Sequence, residues 1–164
     1  MPLSSTQIGA LAENLVANEL MIGSEGRLSA FQPIADDDGI DVLIYDKITG
    51  NACPIQIKAR TNTLKKRASQ ERGNVVHFEV RKATFIEDRN TVLLCALLSP
   101  DLRHTERVWL IPYSAMVDLT MDTGSKYIIR ANKLLNTSDK YKPYQCKDME
   151  EVASRIIGIC NVGR

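Results

Sequence analysis

The sequence predicts an α/β domain: a mixed central sheet of four or five strands with helices on both faces. Three observations carry that expectation. Residues 40–58 read as two strands joined by a tight turn, residues 91–99 are almost unbroken apolar, and amphipathic helical patterns lie near both ends of the chain. Alternation of period two marks a half-buried strand, and a short apolar run marks one covered on both sides. Recurrence at three and four residues marks a helix with one buried face. The 164 residues, 44% hydrophobic and 25% charged, are expected to form one domain, 1–164, around a substantial core.

Ser4, Ser5 and Thr6 offer N-caps for a helix over residues 6–22, with Gly23 as its stop. Ile8, Leu11, Ala12, Leu15 and Val16 form its apolar stripe. Glu13 lies beside that stripe among Gly9, Ala10 and Ala17, small neighbours that would let the helix approach a sheet and aim the carboxylate at it. Glu19 lies on the same broad flank, and the sequence does not separate the two.

Residues 28–32 read as extended, and Asp36-Asp37-Asp38-Gly39 as an acidic turn. Asp38, three residues before Asp41, could touch a metal or its waters. In the hairpin, Lys47 to Gly50 makes a four-residue loop with Gly50 free to take a positive φ. Counting outward sets Asp46 opposite Asn51 and Asp41 opposite Gln56. Gln56 and Lys58 then share one face, and Ile55 and Ile57 the other.

Further on, residues 75–80 predict a strand, 81–88 a short helical stretch, and 91–99 the buried strand, with Cys95 in the core. A strand follows over 107–111, and Pro112 opens a short helix to about residue 119. Residues 126–130 suggest an edge strand, and 148–159 a last helix with Met149, Val152, Ile156 and Ile159 inward.

A net charge of +1 excludes a globally basic coat, so any nucleic-acid surface must be local. One stretch qualifies. From Gln56 to Arg72 stand Lys58, Arg60, Lys65, Lys66, Arg67 and Arg72 against the single acid Glu71. It reads as a mobile basic loop leaving the second strand of the hairpin, suited to a phosphate backbone or simply to solvent. The four cysteines lack metal-ligand spacing and are expected to be reduced thiols in a cytoplasmic protein. His77 and His104 each stand alone. No phosphate loop, nucleophile elbow or dinucleotide fingerprint is present, and no apolar run is long enough for a bilayer.

The chemistry concentrates in the hairpin. An aspartate and an amide carbonyl are hard oxygen ligands for Mg²⁺, and a lysine two residues on can position or deprotonate water. That suits metal-assisted phosphodiester hydrolysis, although a solvated hairpin face can carry the same residues for no catalytic reason. Gly39-Ile40-Asp41 followed by Gln56-Ile57-Lys58 resembles the core of the PD-(D/E)XK nuclease superfamily, in a variant with Gln in place of the second acid. Gly9 to Glu13 is similar to that superfamily's first helix with its metal-site glutamate, and the resemblance spans about residues 6–115 in element order.

The resemblance implies a restriction-endonuclease-like three-layer sandwich and a divalent-metal-dependent endodeoxyribonuclease. Asp41, Gln56 and Glu13 would hold Mg²⁺ or Mn²⁺, and Lys58 would orient the attacking water. Arg60, Lys65, Lys66 and Arg67 would grip the DNA, and a homodimer would cut both strands. Two rivals stand beside this reading. One is a catalytically silent nucleic-acid-binding module on the same fold. The other is an interaction protein that uses an apolar edge near residues 126–130.

Overall fold

A computed structural model describes residues 3–35, 39–66, 71–87 and 89–162. The first helix, α1 (Ser5–Gly23), opens on a capping box: the Ser4 hydroxyl accepts from the Gln7 N–H, and the Gln7 side chain accepts from the Ser4 N–H. Its buried residues are Ala12, Val16, Ala17 and Leu20. The stripe is thus rotated from the expected one, and Leu11 is 45% exposed.

Six strands form the larger sheet: β1 (Leu28–Phe31), β2 (Val42–Asp46), β3 (Ala52–Arg60), β5 (Val92–Leu98), β6 (Thr105–Pro112) and β9 (Gln145–Cys146), in that spatial order. Among the described residues only β3 and β5 run parallel, so the sheet is mixed as expected. It is wider than four or five strands because short β1 and β9 extend its edges. β5 is buried along its whole length. The β2–β3 register follows from the loop: Val42 pairs with Ile55, and the Asp46 and Asn51 backbones bond across the turn.

Two cores flank this sheet. On one face α1 and α3 (Met149–Asn161) pack together over Val42, Ile44, Ile55, Ile57, Leu94 and Leu110. Helices on both faces were expected and are found: both long helices share this face, and the short α2 (Tyr113–Leu119) packs into the core of the other. The other face carries a second, three-stranded sheet of β4 (Val75–Arg81), β8 (Lys126–Asn132) and β7 (Met121–Asp122), with α2 beside it. There Val76, Phe78, Val80 and Ile129 meet Leu93, Cys95, Leu97 and Trp109.

Residues 126–130 therefore do not form an edge. β8 is the middle strand of the second sheet, and its alternating Tyr127, Ile129 and Ala131 are buried. The helical stretch expected over 81–88 shrinks to a 3₁₀ turn at Lys82–Thr84. No helix among the described residues is long and apolar enough to cross a membrane.

Candidate functional site

The site forms where β2 stops and β3 continues. Beyond the Val42–Ile55 pair, the Asp41 N–H still donates to the Ile55 carbonyl at 3.0 Å. The Asp41 carboxylate then accepts from the Ile57 N–H at 2.5 Å, adding one side-chain rung to the ladder. Past that rung, β3 runs on to Arg60, paired among the described residues only with β5. Asp41 thus sits at the mouth of an open strand edge, opposite Gln56 in register.

Two clefts meet at that edge. One, of about 460 Å³, lies between the face of β3 and the edge strand of the second sheet. It is bordered by Gly39, Asp41, Gln56, Lys58 and Arg60 on one side and by Glu79, Arg81, Thr84 and Lys126 on the other. The second, of about 510 Å³, lies toward the start of α1, where Glu13 and Gly9 face Asp41, Lys58 and Arg60. Glu13, Asp41 and Lys58 therefore border one cleft, and Asp41, Gln56 and Lys58 the other.

Glu19 is elsewhere. Its carboxylate accepts from the Thr105 N–H at 3.1 Å and from the Thr105 hydroxyl, tying α1 to β6. The basic segment is partly built in. Arg60 belongs to β3 and donates to the His77 carbonyl at 3.1 Å. Arg72 is fixed by Glu106 at 3.0 Å and the Thr61 carbonyl at 2.7 Å. Lys65 pairs with Arg72 through the backbone as an isolated antiparallel β-bridge, and Lys66 is exposed and 3.8 Å from Glu71. The stem is thus anchored, against the expectation of a mobile loop throughout. Asp38 and Arg67, both named as candidates, lie outside the described residues.

Several cleft residues were not among the candidates drawn from the sequence. Arg81 and Lys126 are cross-strand partners in the second sheet, and with Lys58 and Arg60 they give the cleft four cations against Asp41 and Glu79. Glu79 is already engaged: Lys126 donates to it at 2.6 Å and His77 lies 3.2 Å away. Those bonds, the lysine first, hold its carboxyl down at about 2. The period-two run Val76, Phe78, Val80 places His77, Glu79 and Arg81 outward, the one sequence signal that could have flagged them.

Gln56 is 3% exposed and receives a hydrogen bond at 2.9 Å from the hydroxyl of Tyr113, the first residue of α2. Burial, with the Asp41 charge adding to it, pushes the Tyr113 phenol up to about 12, so it stays protonated and donates. The backbone beside Gln56 is crowded: Gly39 has φ +69°, and a methyl there would stand 3.1 Å from Thr84 and 3.2 Å from the Gln56 Nε2.

Among the described residues no cluster of three or more His, Cys, Asp or Glu stands ready for a metal. The carboxylates of Asp41 and Glu13 sharing a cleft nevertheless suit Mg²⁺, which takes one or two carboxylates and leaves its other positions to water and substrate phosphate. Thiol chemistry is not available here. All four cysteines are buried and free, and burial drives the Cys53 thiol up to about 12 and Cys95 higher.

No protein-family model matches the chain, and no curated protein matches it. Among solved structures, a bacterial homing endonuclease aligns over 94% of this chain and 95% of its own, with a TM-score of 0.54 and 12% identity. Hjc, a Holliday junction resolvase from the archaeal hyperthermophile Archaeoglobus fulgidus, aligns over 87% and 95% with a TM-score of 0.47 and 12% identity. The α/β arrangement built here, a mixed sheet with α1 and α3 on one face, is shared in overall fold with the homing endonuclease.

Proposed function

We propose that this protein is a divalent-metal-dependent nuclease that hydrolyses phosphodiester bonds in DNA, cutting within the strand. One observation carries the reading. Asp41 and Lys58, a carboxylate and an ammonium group, border both clefts at the open edge of β3, with Glu13 entering from α1 and cations lining the opposite wall. The fold shared with a homing endonuclease supports it by analogy alone.

Asp41 and Glu13 would hold Mg²⁺ or Mn²⁺ between them. A divalent cation bound there supplies Lewis-acid activation of water and neutralises charge on the phosphate. The remaining work falls to the chain. Lys58 orients the nucleophilic water and offsets charge that develops on the phosphate oxygens. Arg60, Arg81 and Lys126 hold the flanking phosphates as fixed cations, and Lys65 and Lys66 extend that surface beyond the cleft. The Ile57 N–H holds one Asp41 oxygen in place, so the carboxylate is oriented before substrate arrives.

A non-cleaving DNA-binding module on the same fold is the second reading. It is favoured by the absence, among the described residues, of a cluster of three metal-ligating side chains and by the engagement of Glu79 with Lys126.

The test is cleavage of supercoiled and linear DNA with Mg²⁺, Mn²⁺ or a chelator, by the wild type and by Asp41→Ala. Cation-dependent cutting that the substitution abolishes is the expected result. A wild type that binds DNA yet cuts with neither cation would move the assignment to the binding module.

A further inference from the structure

We infer that Gln56 works through its amide nitrogen, donating a hydrogen bond to the phosphate in the cleft, and that Tyr113 is the positioning residue that fixes this orientation. The inference rests on the nuclease reading and departs from the expectation that the Gln56 carbonyl ligates the metal.

Four observations converge. The Gln56 oxygen accepts the Tyr113 hydroxyl at 2.9 Å inside the protein. The nitrogen is turned toward Gly39, where an added methyl would come within 3.2 Å of it, and Gly39 borders the same cleft. Nε2 has no hydrogen-bonding partner among the described residues, and Gln56 itself borders the cleft. Asp41 stands opposite Gln56 in register, and its negative charge favours the N–H side of the amide over the carbonyl side.

Thr84 adds to the same niche. Its hydroxyl lies 3.1 Å from the point a Gly39 methyl would occupy, against 3.2 Å for Nε2, so two side-chain donors border one small recess. A non-bridging phosphate oxygen, an acceptor with no hydrogen of its own, is the group such a recess recognises. Turning the amide over would set an acceptor oxygen, in place of a donor, in that recess beside Gly39. A phenol held protonated up to about 12 keeps its donor facing Oε1 across the working pH range.

The experiment uses the full chain, with manganese as the probe of cation binding and inorganic phosphate as the probe of the recess. Gln56→Met keeps the size of the side chain and removes both polar ends. Tyr113→Phe removes only the hydroxyl. The expected result is Mn²⁺ affinity within about twofold of wild type in both variants, with kcat/KM on DNA lowered about tenfold by Tyr113→Phe, the size of one lost hydrogen bond.

In the wild type, the Gln56 side-chain amide resonances should shift on adding phosphate, a response that needs no variant to fold. Loss of Mn²⁺ affinity by tenfold or more in Gln56→Met would make the carbonyl a ligand and overturn the inference. So would unmoved Gln56 resonances, or wild-type cleavage by Tyr113→Phe. A wild type that neither binds manganese nor cuts DNA would bring down the nuclease reading itself, and the inference with it.

Discussion

Alanine at Gly39 and at Gly50 should destabilise the protein alike but affect the site differently. Both glycines sit in the left-handed region, with φ of +69° and +74°. An L side chain there costs about 1–2 kcal/mol in backbone strain alone. At Gly50 the added methyl meets nothing closer than the Tyr45 hydroxyl at 3.8 Å, so strain is the whole effect. At Gly39 the methyl also stands 3.1 Å from Thr84 and 3.2 Å from the Gln56 nitrogen, so those side chains must shift by a few tenths of an ångström.

Melting and urea curves measure the first part. For a chain of this size a loss of about 1–2 kcal/mol lowers Tm by roughly 2–8 °C, and Gly39→Ala should lose at least as much as Gly50→Ala. DNA cleavage measures the second: Gly39→Ala should drop about tenfold, from displacement of a group at the site, whereas Gly50→Ala should match wild type. Equal cleavage by both variants would refute the claim that Gly39 is needed for space beside Gln56. No destabilisation in either would refute the backbone argument.

Other outcomes follow from the same structure. Gly9→Ala, at a helical position with open space around it, should stabilise α1 by about 0.5–1 kcal/mol in urea unfolding. Asp46 is fully buried, with Arg27 bidentate on it at 2.7 and 2.8 Å, and its carboxyl is held well below the usual range, first by that arginine. A depressed folded-state pKa gives stability that is complete above the unfolded value of about 4 and is lost as pH falls through the folded one. Asp46→Asn should therefore unfold at lower urea than wild type at pH 7, with the gap narrowing only below about pH 4. A gap unchanged down to pH 2 would contradict this. Replacing Arg81 and Lys126 together by alanine should weaken DNA binding across all sequences and flatten the salt dependence by about two charges' worth. Fluorescence anisotropy at several salt concentrations reads both.

The hairpin was legible in the sequence because its determinants are local. A four-residue loop ending in Gly50 fixes the register, and the alternation about Ile55 and Ile57 fixes which face is wet. β5 was legible as an apolar run and α1 by its cap candidates Ser4, Ser5 and Thr6, of which Ser4 is the cap. The second sheet was not, because β4 and β8 pair across about fifty residues and each looks alone like any half-buried strand. Arg81 and Lys126 were lost with it. Tyr113 was invisible for the same reason, since it reaches Gln56 from 57 positions away. Glu13 and Glu19 differ only in where α1 lies on the sheet, which places one at the clefts and the other on Thr105.

That separation supplies the most direct measurement: nicking of a supercoiled plasmid in Mg²⁺ by wild type, Glu13→Gln, Asp41→Asn, Lys58→Ala and Glu19→Gln, side by side. The account predicts losses of about a hundredfold or more for the three cleft variants and near wild-type rates for Glu19→Gln. Cutting that persists in Asp41→Asn, or that falls with Glu19→Gln but not with Glu13→Gln, would contradict it.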